Sequence, residues 1–173
     1  CGSAPARGHA RTGEPSTIAS YLGDDDTFDH AVARFAEAYA DQTERDFEAF
    51  TAAIRTRLFA FLRAWSIGND EAALEAIDSP ADADGQAWTG ERLKAAREAY
   101  RAEHASLRLD PEARNLRHTH VQPADDRTSW RVQQMLVDPE GLNDWVLEVD
   151  VDLTASRELG EPVLKLLRLG SLV

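Results

Sequence analysis

The sequence predicts an α+β domain in which two to three helices are followed by a four-stranded antiparallel meander sheet, with a long helical arm at the N-terminal end. Three observations lead there. Phe28, Val32, Phe35, Tyr39, Phe47, Phe50, Ile54, Leu58, Phe61 and Trp65 recur almost always at spacings of three or four, which is one face of a helix. Beyond "DPEAR" the apolar period falls to two, the period of a strand with one buried face. The helical patterns all come first and the strand patterns last, the order of an α+β architecture.

Residues 1–26, "CGSAPARGHARTGEPSTIASYLGDDD", are rich in Gly, Pro, Ser and Asp and read as loop. From Thr27 to Ser66 the apolar stripe is interrupted only at Thr43. That pattern fits one helix of about 40 residues, or two helices meeting near "DQTERD". The reading adopted is an arm, residues 27–50, joined to the first helix of a domain over residues 51–173. "SIGND" supplies a stop at Gly68 and a cap at Asn69 for a short helix over Asp70 to Ile77. After the loop "DSPADADGQ", Thr89 caps a third helix reaching about Ser106, with Leu93, Ala96 and Tyr100 on its apolar side.

The expected strands are 114–121, 129–137, 144–154 and 162–169. In the third, Trp145, Leu147, Val149, Val151 and Leu153 alternate with Asp144, Val146, Glu148, Asp150 and Asp152, so one sheet face is dry and the other mostly wet. The second and third strands are joined across "VDPEGLND", where Pro139 suits an early turn position and Gly141 a positive φ. A curved sheet wrapped against two or three helices resembles, at the level of fold only, the cone of nuclear-transport-factor-like domains.

Composition narrows the function classes. The apolar share of 43% is enough for a core. The net charge of −12 is spread evenly: residues 1–50 hold 10 acids against 4 bases, and residues 51–173 hold 21 against 15. That balance argues against a large autonomous nucleic-acid surface, which needs clustered Lys and Arg. No apolar run approaches the roughly 18–20 residues of a membrane span. Cys1 is the single cysteine, so no internal disulfide and no cysteine-based zinc site can form, and a cytoplasmic setting is expected. Cys1 in first position fits a lipid-modified mature terminus or a fragment start.

Few residues suggest chemistry. His118 and His120 lie two apart and would share a face if both sat on a strand, with Glu148, Asp150 or Asp152 as further metal ligands from a neighbouring strand. A polar sheet face explains them more simply, and the same solvated face accounts for Glu148, Asp150 and Asp152 more simply than an acid–base cluster does. Trp130 and Trp145, with Arg131 close by, would suit stacking on a base, but Trp145 falls on the apolar face and a core position is the simpler reading of both. Arg114, Arg117 and His118 in "RNLRH", together with Arg127 and Arg131, make the best local basic patch. There is no phosphate-binding Gly-Lys-Ser/Thr loop, no helicase acidic box and no nucleophile elbow. No catalytic residue, cofactor or metal is therefore expected.

The stretches "TAAIRTRLFAFLRAW", "DPEARNLRHTHV", "SWRVQQMLVDPEGLNDW", "VDLTASRELGEPVLKL" and "RLGSLV" resemble a domain of unknown function found at the C-terminal end of bacterial DEAD/DEAH-box helicases. The resemblance covers about residues 51–173 and implies an accessory module that follows an ATPase core. "GHARTGEPSTIASYLGDDDTFDHAVARFAEAYADQTERDFEAF" is similar to the C-terminal tail of a second uncharacterised bacterial family with a kinase-like fold, which implies a join near residues 48–56. The leading expectation is a non-catalytic accessory domain whose partner is a helicase core, or a second copy met through the N-terminal helix. The alternatives are a small-ligand or hydrolytic pocket between helices and sheet using His118, His120 or Asp150, and a weak nucleic-acid contact module.

Overall fold

The computed structural model describes residues 27–78 and 81–172, so the loop expected over residues 1–26 lies outside the described residues. The chain divides into two units, Cys1–Glu48 and Ala49–Val173. Helix α1, Thr27–Ser66, is one uninterrupted helix of 40 residues. Thr43 does not break it, because its hydroxyl donates to the Tyr39 carbonyl one turn back at 2.8 Å and is satisfied inside the helix. In the first unit, Phe28, Val32, Phe35, Tyr39 and Phe47 all remain exposed, and the Phe35 and Tyr39 rings stack at 6.3 Å.

In the second unit, the end of α1 buries Ile54, Leu58, Phe61, Leu62 and Trp65. Gly68 stops the helix as its spacing predicts, with φ at 83°. Its N–H donates to the Trp65 carbonyl and that of Asn69 to the Ala64 carbonyl, so two otherwise orphaned acceptors are satisfied. The Asn69 side chain then accepts from the Ala72 N–H and opens α2, Asp70–Glu75. The Thr89 hydroxyl accepts from the Arg92 N–H at 3.2 Å and opens α3, Gly90–Glu103, which buries Leu93, Arg97 and Tyr100. Arg97 tolerates that burial because Asp70 takes two of its N–H groups.

The sheet is a meander, β1 (Thr119–Pro123), β2 (Ser129–Leu136), β3 (Trp145–Asp152) and β4 (Val163–Ser171), with neighbours antiparallel in that order. This is the α+β arrangement read from the sequence. Two details depart from it. The first strand starts at Thr119 rather than 114, because the Asn115 side chain accepts from the Arg117 N–H and closes a 3₁₀ turn over Leu116–His118. The third strand ends at Asp152, whose carboxylate accepts from the Thr154 and Ala155 N–H groups and caps a further helix, α4, Leu153–Leu159. Leu153 is therefore helical, and α4 closes at Gly160 with φ at 75°. Seven residues are too few for a helical period to stand out against the strands on either side.

Register brings Val132, Gln134 and Leu136 of β2 opposite Val149, Leu147 and Trp145 of β3, and Leu164, Leu166 and Leu169 of β4 complete the inner face. All of these but the buried polar Gln134 join Ile54, Leu58, Phe61, Leu62, Trp65, Trp88 and Leu93 in one buried cluster, so the inner face of the sheet is filled. Each buried indole finds an acceptor for its N–H: Trp65 the Leu93 carbonyl, Trp88 the Leu166 carbonyl and Trp145 the Glu103 carboxylate. Buried Gln134 accepts from Thr119 Oγ1 at 2.7 Å and donates to the Met135 carbonyl. The backbone of Leu164 exchanges two bonds with Asp78, one to its carboxylate at 2.7 Å and one from its N–H at 3.0 Å. On the outer face, His120, Gln133, Glu148 and Arg168 form one row, and Gln122, Arg131, Asp150 and Lys165 the next.

Leu147 has no exposed surface, whereas Leu159 is 67% exposed at the end of α4. We expect Leu147→Ala to lower unfolding free energy by about 2–5 kcal/mol and Leu159→Ala to leave it within about 0.5 kcal/mol. Removing the α4 cap with Asp152→Ala should cost about 1 kcal/mol. Urea unfolding of the three variants measures all of these.

Candidate functional site

The residues that the sequence nominates are not gathered in one place. His118 lies in the 3₁₀ turn, half-buried, with Arg117 Nε donating to its Nε2 at 3.1 Å. Burial first, and then the Arg117 charge, hold its imidazole below the ordinary value. His120 is exposed on β1, level with Gln133 on the outer row, so the two histidines are not set out as a pair on one strand face. Arg117 is also ion-paired with Glu112. Arg127 is an exposed turn residue with φ at 58°. Trp130 is half-buried and meets Phe50 edge-on, ring centroids 5.3 Å apart. Arg131 Nε lies 3.3 Å from Glu148 Oε1, and the other Glu148 oxygen accepts from Gln133. Asp150 stands between Arg131 and Lys165 in register and helps line an open depression of about 280 Å³ with Gln122 and Ser129. The outer acids are thus interleaved with bases, which is what a solvated sheet face requires.

Arg114 sits apart from these, in a surface groove of about 480 Å³ against α1 that Arg55, Phe59 and Arg63 also line. Its Nε donates to the Leu109 carbonyl, and its guanidinium lies 5.4 Å from the centre of the Phe59 ring. Arg55 donates to Thr119 Oγ1 and to the Arg114 carbonyl. The predicted basic patch is therefore split, with Arg114 in this groove and Arg131 on the outer face of the sheet.

A second cluster was invisible to the sequence reading. His104 is the residue that closes α3, and its N–H donates to the Tyr100 carbonyl at 2.9 Å. It is only 2% exposed, and its ring packs 4.8 Å from that of Tyr100. Nε2 lies 2.9 Å from Asp144 Oδ1, and Nδ1 lies 3.9 Å from Asp138 Oδ2. Neither contact has hydrogen-bond alignment: both ring nitrogens and Asp144 Oδ1 are buried without a hydrogen-bond partner. Asp138 is better placed. Its two oxygens accept from the Leu142 N–H at 3.1 Å and the Asn143 N–H at 2.6 Å, and the Asn143 side chain accepts in return from the Asp138 N–H. These bonds hold Asn143 at φ 50° and close the β2–β3 connection, where Gly141 takes the expected positive φ of 78°.

Burial alone would push the Asp138 carboxyl up, but the backbone N–H groups of Asn143, Leu142 and Gly141, with the charge of His104, together bring it below the ordinary carboxylate value. Tyr100 is pushed well above the ordinary phenol value, chiefly by burial and then by Asp138, Glu140 and Asp144. The pocket of charge around His104 is thus acidic. In the sequence, His104 falls in the tail of a helix, Asp138 in a turn and Asp144 on a wet strand face. The one available signal was that Asp138 and Asp144 flank the same Pro-Glu-Gly turn.

A carboxyl depressed on folding stabilises above its unfolded value and loses that contribution as pH falls through its folded value. Asp138→Asn should therefore be less stable than the parent at neutral pH, and the gap should narrow as pH drops below about 4. Thermal unfolding of both proteins between neutral and acid pH measures that convergence.

Comparison with curated proteins finds no match, and comparison with solved structures finds none either. No helix among the described residues is long and apolar enough to cross a membrane. One family model does match, over residues 19–169, a span that includes residues 48–56. With nearly its whole length matched, the chain belongs to the family of the domain of unknown function DUF3516.

Proposed function

We propose that this domain is a non-catalytic accessory module of the kind that follows the ATPase core of bacterial DEAD/DEAH-box helicases, working in the cytoplasm by docking on such a core. The observation that carries this reading is the filled inner face of the sheet. A pocket enzyme or small-ligand carrier on this plan needs space between helices and sheet, with polar groups converging on it. Here Trp65, Leu147, Val149 and Leu166 occupy that space, and His118, His120 and Asp150 do not line it. The nucleic-acid alternative draws less support, because Arg117 and Arg131 are each matched to a glutamate within an acidic chain. What the domain does offer is surface. On the arm, Phe35 and Tyr39 are 71% and 67% exposed, large aromatic side chains of the kind that anchor protein contacts.

The test is to titrate the chain into an ATPase core of the type to which the resembling domains are attached. Association with Kd on the order of micromolar, together with a changed rate of nucleic-acid-stimulated ATP hydrolysis, is the expected result. Phe35→Asp combined with Tyr39→Asp should weaken it about tenfold or more, with the chain alone hydrolysing no ATP. A core that neither binds the chain nor changes its rate overturns the reading.

A further inference from the structure

We propose that His104, Asp138 and Asp144 form a binding site for a divalent transition-metal cation of the zinc class, joining the end of α3 to both ends of the β2–β3 connection. The first support is the unsatisfied histidine. An imidazole only 2% exposed, with neither nitrogen in an aligned hydrogen bond, is an arrangement that folded proteins avoid unless something completes it. The second is the form of its contact with Asp144. Nε2 and Oδ1 are 2.9 Å apart, yet the oxygen lies off the line of a hydrogen bond. Two donors each about 2.1 Å from a tetrahedral ion stand about 3.4 Å apart, so this pair needs to open by only about half an ångström to share one.

The third support is the donor set. One ligand atom from each of the three residues lies within 4.8 Å of the other two, so a contraction of up to about 1.4 Å in the widest pair brings all three to bonding distance of one tetrahedral ion. A nitrogen with two carboxylates favours zinc or manganese over calcium, which takes oxygen ligands alone. Asp138 is already oriented by the Leu142 and Asn143 N–H groups, as ligating carboxylates are in metal sites. Among the described residues, no Lys or Arg is ion-paired with Asp138 or Asp144, so a cation meets no positive charge in contact with the site. The Asp144 side chain is 33% exposed, which gives the ion a route from solvent and leaves room for water in the remaining positions.

The experiment is calorimetric titration of the chelator-stripped full chain with zinc sulfate, repeated with cobalt(II) so that visible absorption reports coordination. Saturable binding at one ion per chain is expected, with a higher Tm in the presence of zinc. Asp144→Asn, at a partly exposed position that should preserve the fold, and His104→Gln should each weaken binding at least about tenfold, while His118→Gln with His120→Gln should not change it. Circular dichroism shows which variants fold, and Asp144→Asn decides the matter if His104→Gln does not. Absence of saturable binding to the parent chain overturns the proposal. So does binding that survives in Asp144→Asn, since the ion then belongs to surface groups.

Discussion

The column of rings formed by Trp65, Tyr100 and Trp145 is the contact on which the rest of the second unit depends. Tyr100 meets Trp65 at 5.8 Å and Trp145 at 5.3 Å, both edge to face. One residue comes from α1, one from α3 and one from β3, so a single column fixes both helices against the sheet. Edge-to-face contacts are directional, and the indole N–H groups at either end are held by the Leu93 carbonyl and the Glu103 carboxylate. Position along the chain does the rest. His104 is one helical turn beyond Tyr100, and Asp144 immediately precedes Trp145, so the column also sets the separation between His104 and its carboxylates.

Charge in this protein is used locally. Arg97 with Asp70, Arg92 with Asp82, Arg108 with Asp110 and Arg131 with Glu148 are pairs that settle loops, helix flanks and one sheet face. The more exposed of these, Arg108 with Asp110, contributes little to stability, whereas the buried Arg97 guanidinium would be left without its counter-charge if Asp70 were removed. The acids of the His104 cluster stand outside that pattern, since among the described residues no arginine or lysine is ion-paired with them.

Much of the fold was legible because its signals are local. Asn69, Thr89 and Gly68 announce helix ends by chemistry that needs no tertiary context, and the alternation from Trp145 to Val151 fixes the buried face of β3. The misses have a common physical cause. The 3₁₀ turn at Leu116–His118 and helix α4 depend on single side chains, Asn115 and Asp152, bonding to nearby backbone, which period counting does not register. Arg131 pairs with Glu148 only because two strands align in one register. His104 meets Asp138 and Asp144 only after α3 has packed on the sheet, so no spacing in the sequence brings them together.

The bonds between Asp78 and Leu164 have a further meaning for how this domain meets other chains. β4 is an edge strand, and edge strands present backbone donors and acceptors to any passing extended segment. At Leu164 both groups are already engaged by Asp78, and at Leu166 the carbonyl is taken by Trp88. At the opposite edge, β1 is only five residues long and ends in Pro123, which has no N–H to give. Strand addition, a common way for a sheet to recruit a peptide or a second copy of itself, is therefore blunted at Leu164 and Leu166 on one border and at Pro123 on the other.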